Sequence, residues 1–134
     1  MDWSPEQILL LGIPAAAITV YLPYLVVAYG RFQVGFDPSA PRALFDKLPA
    51  YAKRATWAHQ NSWEVFALFV AGDLMVYVTD RASTVTSVTV GVFLVARVLF
   101  SLFYILDLPW LRSPMWLVSV VCTAVLMSIS LSQS

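Results

Sequence analysis

Apolar residues run almost unbroken through Ile8–Tyr29, Thr84–Leu106 and Ser113–Leu131, with Arg97 the one charge inside them. A helix needs about 20 mostly apolar residues to cross a bilayer, and each run meets that length. A fourth stretch, Tyr51–Val78, is long enough but more polar: its uncharged core is short, and Glu64 and Asp73 fall within it. Taken alone, it could be a surface helix. Removing it would put the loops flanking the Thr84–Leu106 span on reversed sides, so the pattern predicts four spans.

The connection Gly30–Ala50 carries Gly30, Gly35, Pro38, Pro41 and Pro49 and is expected to be a turn-rich loop. Thr79–Ser83 and Asp107–Arg112 are short, and short links make antiparallel neighbours. The expected fold is therefore an all-α membrane protein, one domain over residues 1–134, with spans at 8–29, 51–78, 84–106 and 113–131 in an up-down-up-down bundle. Pro14 and Pro23 are expected to bend the first helix, which membrane helices tolerate. The first apolar run follows Asp2 and Glu6 and is too long for a signal peptide, so it is expected to be a retained anchor. The chain shows neither an internal repeat nor a low-complexity segment.

Composition agrees with lipid as the main solvent. Of 134 residues, 60% are hydrophobic and 12% charged, about half the charge of a soluble domain, and mean hydropathy is +0.75. Net charge is zero and no basic tract is present, which gives nucleic acid nothing to bind. The single cysteine, Cys122, lies inside an apolar run, where it is expected to be a small buried hydrophobe; one cysteine leaves no intrachain disulfide and no metal cluster.

Basic residues set the expected orientation. Arg31, Arg42, Lys47, Lys53 and Arg54 surround the first connection and Arg112 closes the third, whereas the other side has only Arg81. The first and third connections are thus expected in the cytoplasm and both termini across the membrane. Tyr29, Tyr51, Trp57 and Trp110 would then border the cytoplasmic face, with Trp3 and Tyr77 at the other.

The polar residues of the second span are costly in a membrane and usually have a job. At about 100° per residue, Arg54, Trp57, Asn61, Glu64 and Leu68 share a sector of about 80°. Arg54, Asn61 and Glu64 therefore form a polar stripe entering from the cytoplasmic end. His59 points about 140° from Arg54 and is expected to make only a surface hydrogen bond or a helix contact. Arg97 lies about 13 Å from the cytoplasmic end of its own span. An unpaired charge at that depth costs roughly 2.5–3.5 kcal/mol even on the mildest scale. An Arg97–Glu64 pair, supplemented by the Asn61 amide, is the expected resolution. It could be a structural clasp, or part of a polar pocket that takes a charged ligand from the cytoplasm. Asp73, about 180° from Glu64, is expected to face a neighbouring subunit or the non-cytoplasmic interface. Asp80, Arg81 and Asp107 are expected to be solvated loop charges.

Along nearly its whole length the chain resembles the MAPEG superfamily, membrane-associated proteins in eicosanoid and glutathione metabolism. The family's second helix commonly reads Glu-Arg-x-x-Arg-Ala-x-x-Asn-x-x-Glu. The same register here has Arg54, Ala58, Asn61 and Glu64, with Lys53 and Trp57 in place of the leading Glu and the second Arg. The third helix keeps an Ala-Arg pair followed seven residues later by Tyr, giving Arg97 and Tyr104. "DLPWLRSPMW" resembles the bacterial branch, with Arg112 opening the fourth helix.

The resemblance implies a homotrimer whose sites lie between subunits, open to the cytoplasm. It implies glutathione as co-substrate, a lipophilic small molecule as acceptor, and a bacterial inner or other energy-transducing membrane. By position, Arg31, Arg54, Asn61, Glu64, Arg97 and Tyr104 would line the peptide site and Arg112 would act on the sulfur. Two functions compete: a glutathione-dependent transferase or peroxidase for hydrophobic electrophiles, and a non-enzymatic membrane subunit of a larger assembly. A small transporter or channel fits less well, because the charges cluster near one face instead of tracing a path across.

Overall fold

The computed structural model describes residues 2–132; residues 1, 133 and 134 at the ends of the expected domain lie outside the described residues. Four α-helices carry the fold: α1 (Pro5–Gln33), α2 (Ala50–Val78), α3 (Thr84–Ile105) and α4 (Pro109–Leu131). A 3-10 helix, Pro41–Lys47, lies between α1 and α2, and no strand forms among the described residues. The connection expected to be a turn-rich loop is thus partly helical. Its proline at the first position suits a helix start, where no intrahelical partner is needed. All four α-helices are long and apolar enough to cross a membrane, α2 being the least apolar.

Local chemistry explains the boundaries. Ser4 caps α1: its Oγ accepts the Gln7 amide while the Gln7 side chain accepts the Ser4 amide, and Pro5 takes the first turn. Ser83 and Thr86 make the same reciprocal pair at the start of α3. α2 and α3 end alike. Asp80 (φ 57°) and Asp107 (φ 61°) adopt the left-handed conformation, which Asp tolerates better than most residues. The next amides then bond back, Arg81 to the Val76 carbonyl and Leu108 to Phe103, so each chain reverses within a few residues. These turns set the roles of Asp80 and Asp107. α1 runs to Gln33, beyond the expected Tyr29, through both Pro14 and Pro23. α4 starts at Pro109, four residues before the apolar run, because proline fits the first helical turn.

α2 and α3 form the middle of the bundle, with α1 and α4 each packing on both. Leu9 and Ala16 of α1, Val65, Phe69 and Val76 of α2, Val90 and Phe93 of α3, and Cys122 and Leu126 of α4 make the core. Phe69 and Phe93 stack at its centre with ring centroids 4.0 Å apart. Small residues let helices close in: a Cβ on Gly30 would lie 2.5 Å from that of Ala52, and one on Gly12 would lie 2.7 Å from Val90 Cγ1. The outer surface is apolar, with Ile18, Leu25, Val88, Val95 and Leu117 exposed. Several buried hydroxyls are satisfied inside their own helices, as with Thr19 on the Ala16 carbonyl and Thr123 on Ser119, whereas the buried Ser101 Oγ has no partner.

Candidate functional site

The centre of the polar network is Arg97, 1% exposed on α3. Its Nη2 donates to Asn61 Oδ1 and Ser62 Oγ, both at 3.0 Å, and Nη1 donates to Ser119 Oγ at 3.3 Å. The guanidinium also sits 4.2 Å over the Phe100 ring. None of these partners is a carboxylate. The expected Arg97–Glu64 pair does not form, because Glu64 points out onto the exposed surface of the protomer. On a helix Ser62 and Glu64 stand about 160° apart, so a face that offers Ser62 to α3 turns Glu64 away. Ser119 remains satisfied on its own helix, bonding the Met115 and Trp116 carbonyls.

A cleft of about 270 Å³ opens beside this network, lined by Asn61, Phe100, Tyr104, Arg112, Ser113 and Trp116. The Arg112 guanidinium lies 4.4 Å over the Tyr104 ring, held there by the ring's negative face. Trp57, in the sector of Asn61, is 6.5 Å from Tyr104 and 5.9 Å from Phe45, centroid to centroid.

Arg31 belongs to a different cleft. This one, about 660 Å³, lies between α1, the 3-10 helix and α2, and includes Tyr24, Arg31, Arg42, His59, Gln60 and Trp63. The Arg31 guanidinium is 5.8 Å from the centre of the Tyr24 ring, and its buried Nε has no partner. His59 does make a helix contact: Nδ1 is 2.7 Å from the Val20 carbonyl. A carbonyl only accepts, so Nδ1 carries the hydrogen. Glu64 falls between Gln60 and Asn61 around α2, on the ridge that separates the two clefts.

Arg54 is occupied elsewhere: its Nε donates to the Ile105 carbonyl at 3.0 Å, closing the end of α3. The sequence-derived set is therefore divided. Asn61, Tyr104 and Arg112 line one cleft with Arg97 buried behind Asn61, Arg31 lines another, Arg54 caps α3, and Glu64 stands between the clefts. Ser62, Ser119 and Phe100 were missed. The signal for Ser62 was its place beside Asn61, but serines in membrane helices usually bond their own backbone and so attract no notice. Asp73 is also placed differently from expectation. It is 0% exposed inside the protomer and faces neither a neighbouring subunit nor an interface. Among the described residues no group of metal-ligating side chains gathers.

A multi-pass helical membrane protein with a buried arginine and two polar clefts is the class these features define. Residues 8–132 match the model of the MAPEG family, so the chain belongs to that family and is an integral membrane protein. Comparison with curated proteins and with solved structures finds no match.

Proposed function

We propose that the protein is a glutathione-dependent transferase or peroxidase acting on lipophilic electrophiles or hydroperoxides, and that it works as a homotrimer. The observation that carries this reading is the Arg112–Tyr104 stack beside the Arg97–Asn61 network, a cationic cleft set in an apolar surface. Glutathione has two carboxylates that suit guanidinium partners, and its thiol, with an ordinary pKa near 8.5, ionises more readily beside a cation. In this reading Arg112 faces the sulfur. Asn61 and Tyr104 orient the peptide in the same cleft, Arg97 acts from behind by holding Asn61, and Arg54 acts by fixing the end of α3. The thiolate attacks the electrophilic carbon as the leaving group departs with the bonding pair, or attacks the terminal oxygen of a hydroperoxide as the O–O bond breaks. In the second case the alkoxide leaves with the bonding pair and takes a proton from water, and a second glutathione thiol reduces the resulting sulfenic acid to the disulfide with loss of water. The lipophilic partner arrives through the surrounding bilayer.

The division into two clefts supports the trimer. One copy's Arg31 cleft and its neighbour's Arg112 cleft become one site if the Glu64 ridge lies at the seam. The chain is proposed to cross up-down-up-down, because Gly12, Val20 and Gly30 of α1 meet the Phe69, His59 and Ala52 levels of α2 in reverse order. Arg97 and Ile105 of α3 meet Asn61 and Arg54 of α2 in reverse order, and Arg97 and Tyr104 meet Ser119 and Arg112 of α4 likewise. The excess of basic residues around the first and third connections supports a cytoplasmic face for the clefts, and the resemblance favours the bacterial branch and a bacterial inner or other energy-transducing membrane.

A second reading, a non-enzymatic membrane subunit, draws on the Arg97 network itself, which is bonded by protein groups on three sides. Calorimetry of glutathione with the purified protein in detergent separates them. Saturable binding, with turnover of a model electrophile or hydroperoxide, is the enzyme outcome. No heat and no turnover leaves the subunit reading.

A further inference from the structure

The Arg112 cleft is built in two tiers. Tyr104 of α3 stacks on Arg112 of α4, and Arg97 of α3 bonds Ser119 of α4. Phe100 and Trp116 fall between these two contacts, so they share a level, about 6 Å from that of Arg112 toward the middle of the helices. Both line the cleft.

Two of the three aromatic rings in this cleft are engaged on a face. Phe100 carries the Arg97 guanidinium at 4.2 Å, and Tyr104 carries that of Arg112 at 4.4 Å. Trp116 is 41% exposed and, among the described residues, has neither a ring nor a cation against it. Its indole N–H donates to no protein group among them either. Trp57 and Trp63, by contrast, pack on other rings.

An interfacial anchor would explain an open tryptophan, and Trp110, 90% exposed in the first turn of α4, is placed as one. Trp116 is about 9 Å farther along a helix long and apolar enough to span a membrane. Acyl chains there offer an N–H no acceptor. An open indole face beside an open N–H suits a ligand that is flat and carries an acceptor oxygen. Charge narrows the choice. The cleft holds Arg112 and no carboxylate, with Arg97 behind Asn61, so a further cation is repelled. The electron-rich indole face is then best matched by an electron-poor π system.

We propose that Trp116 selects the acceptor of this cleft: a flat, electron-poor conjugated compound whose nitro or carbonyl oxygen takes the indole N–H. Such compounds are preferred to flexible saturated ones. Where the ring bears a leaving group, sulfur bonds the ring carbon and the leaving group departs with its bonding pair. Trp116 takes no part in that exchange and acts as a specificity-determining residue. That the bound compound meets a glutathione thiolate rests on the function proposed above; that it binds at Trp116 does not.

The test uses the full-length protein in nanodiscs. Dinitrotoluene, which has no leaving group, should bind saturably by calorimetry, beyond its partition into empty nanodiscs. Its affinity should fall about tenfold in Trp116→Leu and about threefold in Trp116→Phe, which keeps a ring but loses the N–H. With glutathione, the ratio of kcat/KM for chlorodinitrobenzene to that for hexyl iodide should fall about tenfold in Trp116→Leu. Binding that follows this order in a protein that turns over neither acceptor removes the enzyme reading and keeps the Trp116 site. Equal dinitrotoluene affinity in wild type and variants, or an unchanged ratio, overturns the proposal. So does a wild type that takes up no more dinitrotoluene than empty nanodiscs. If Trp116→Leu fails to fold, Trp116→Phe and wild-type binding decide.

Discussion

Arg97 holds Asn61, not Glu64: its Nη2 lies 3.0 Å from the Asn61 amide oxygen, and no carboxylate shares the guanidinium. The buried cation is therefore balanced by neutral oxygens, and losing one of them leaves charge uncompensated. Asn61→Leu should destabilise the protein by about 1.5–3 kcal/mol, the range for hydrogen bonds to charged groups. Glu64→Gln should stay within about 0.5 kcal/mol in a detergent that keeps the chain monomeric. Chemical denaturation of both variants checks this. A larger loss for Glu64→Gln would restore the ion pair.

The second prediction concerns assembly. Glu64 is exposed on the protomer within α2, a helix long and apolar enough to span a membrane, and a neighbouring copy is the proposed cover. Native mass spectrometry from mild detergent should show a trimer, and Glu64→Lys should shift the population toward monomer. A wild type that stays monomeric in every mild detergent would exclude a site shared between subunits.

Arg112 and Arg54 should separate in kinetics. Arg112→Ala should lower turnover with a model electrophile while leaving glutathione affinity nearly unchanged, because its contribution grows as the thiolate forms. Bound glutathione in wild type should show thiolate absorbance at a pH below its solution pKa, and the variant should lose it. Arg54→Ala should cost about 0.3–1 kcal/mol of stability by uncapping α3, with any loss of affinity following from that movement. Equal affinity losses in the two variants would contradict this division.

The glycines provide a test of packing alone. Gly30→Ala puts a methyl 2.5 Å from the Ala52 Cβ, which has no flexible end to move aside. It should destabilise by about 1–3 kcal/mol, the usual range for overpacking. At Gly91 nothing lies within 4 Å, and Gly91→Ala should gain up to about 1 kcal/mol from helix propensity. Paired thermal melts distinguish the two.

Much of the architecture was legible in the sequence because the bilayer imposes a length and a composition on each span. The helix ends moved by a few residues where capping took over, as at Pro109 and Gln33. The polar contacts were less legible. A helical wheel put Asn61 and Glu64 in one sector, but two residues in one sector need not meet the same neighbour. The choice between them rests on which flank of Asn61 faces α3, and Ser62 decides it. Asp73 was assigned outward for a similar reason. Its wheel position opposite Glu64 was read correctly, but the side of α2 that lies inside depends on Gly12 and Gly72 drawing α1 and α4 close. That is long-range information. Arg54 stood in a polar stripe, with nothing in the chain to mark the Ile105 carbonyl as its acceptor.

The three bonds of Arg97 also constrain how the chain is made. Asn61 and Ser62 lie on α2 and have left the ribosome before Arg97 does, whereas Ser119 on α4 follows it. When α3 enters the membrane, α2 must already be beside it to receive the guanidinium, because a lone Arg-bearing segment meets a barrier of a few kcal/mol at the translocon. The second and third helices are thus expected to leave the insertion machinery as a pair, with α4 completing the shell around the arginine afterwards. A substitution at Asn61 that left the finished protein able to fold could still lower its yield by stalling this hand-over.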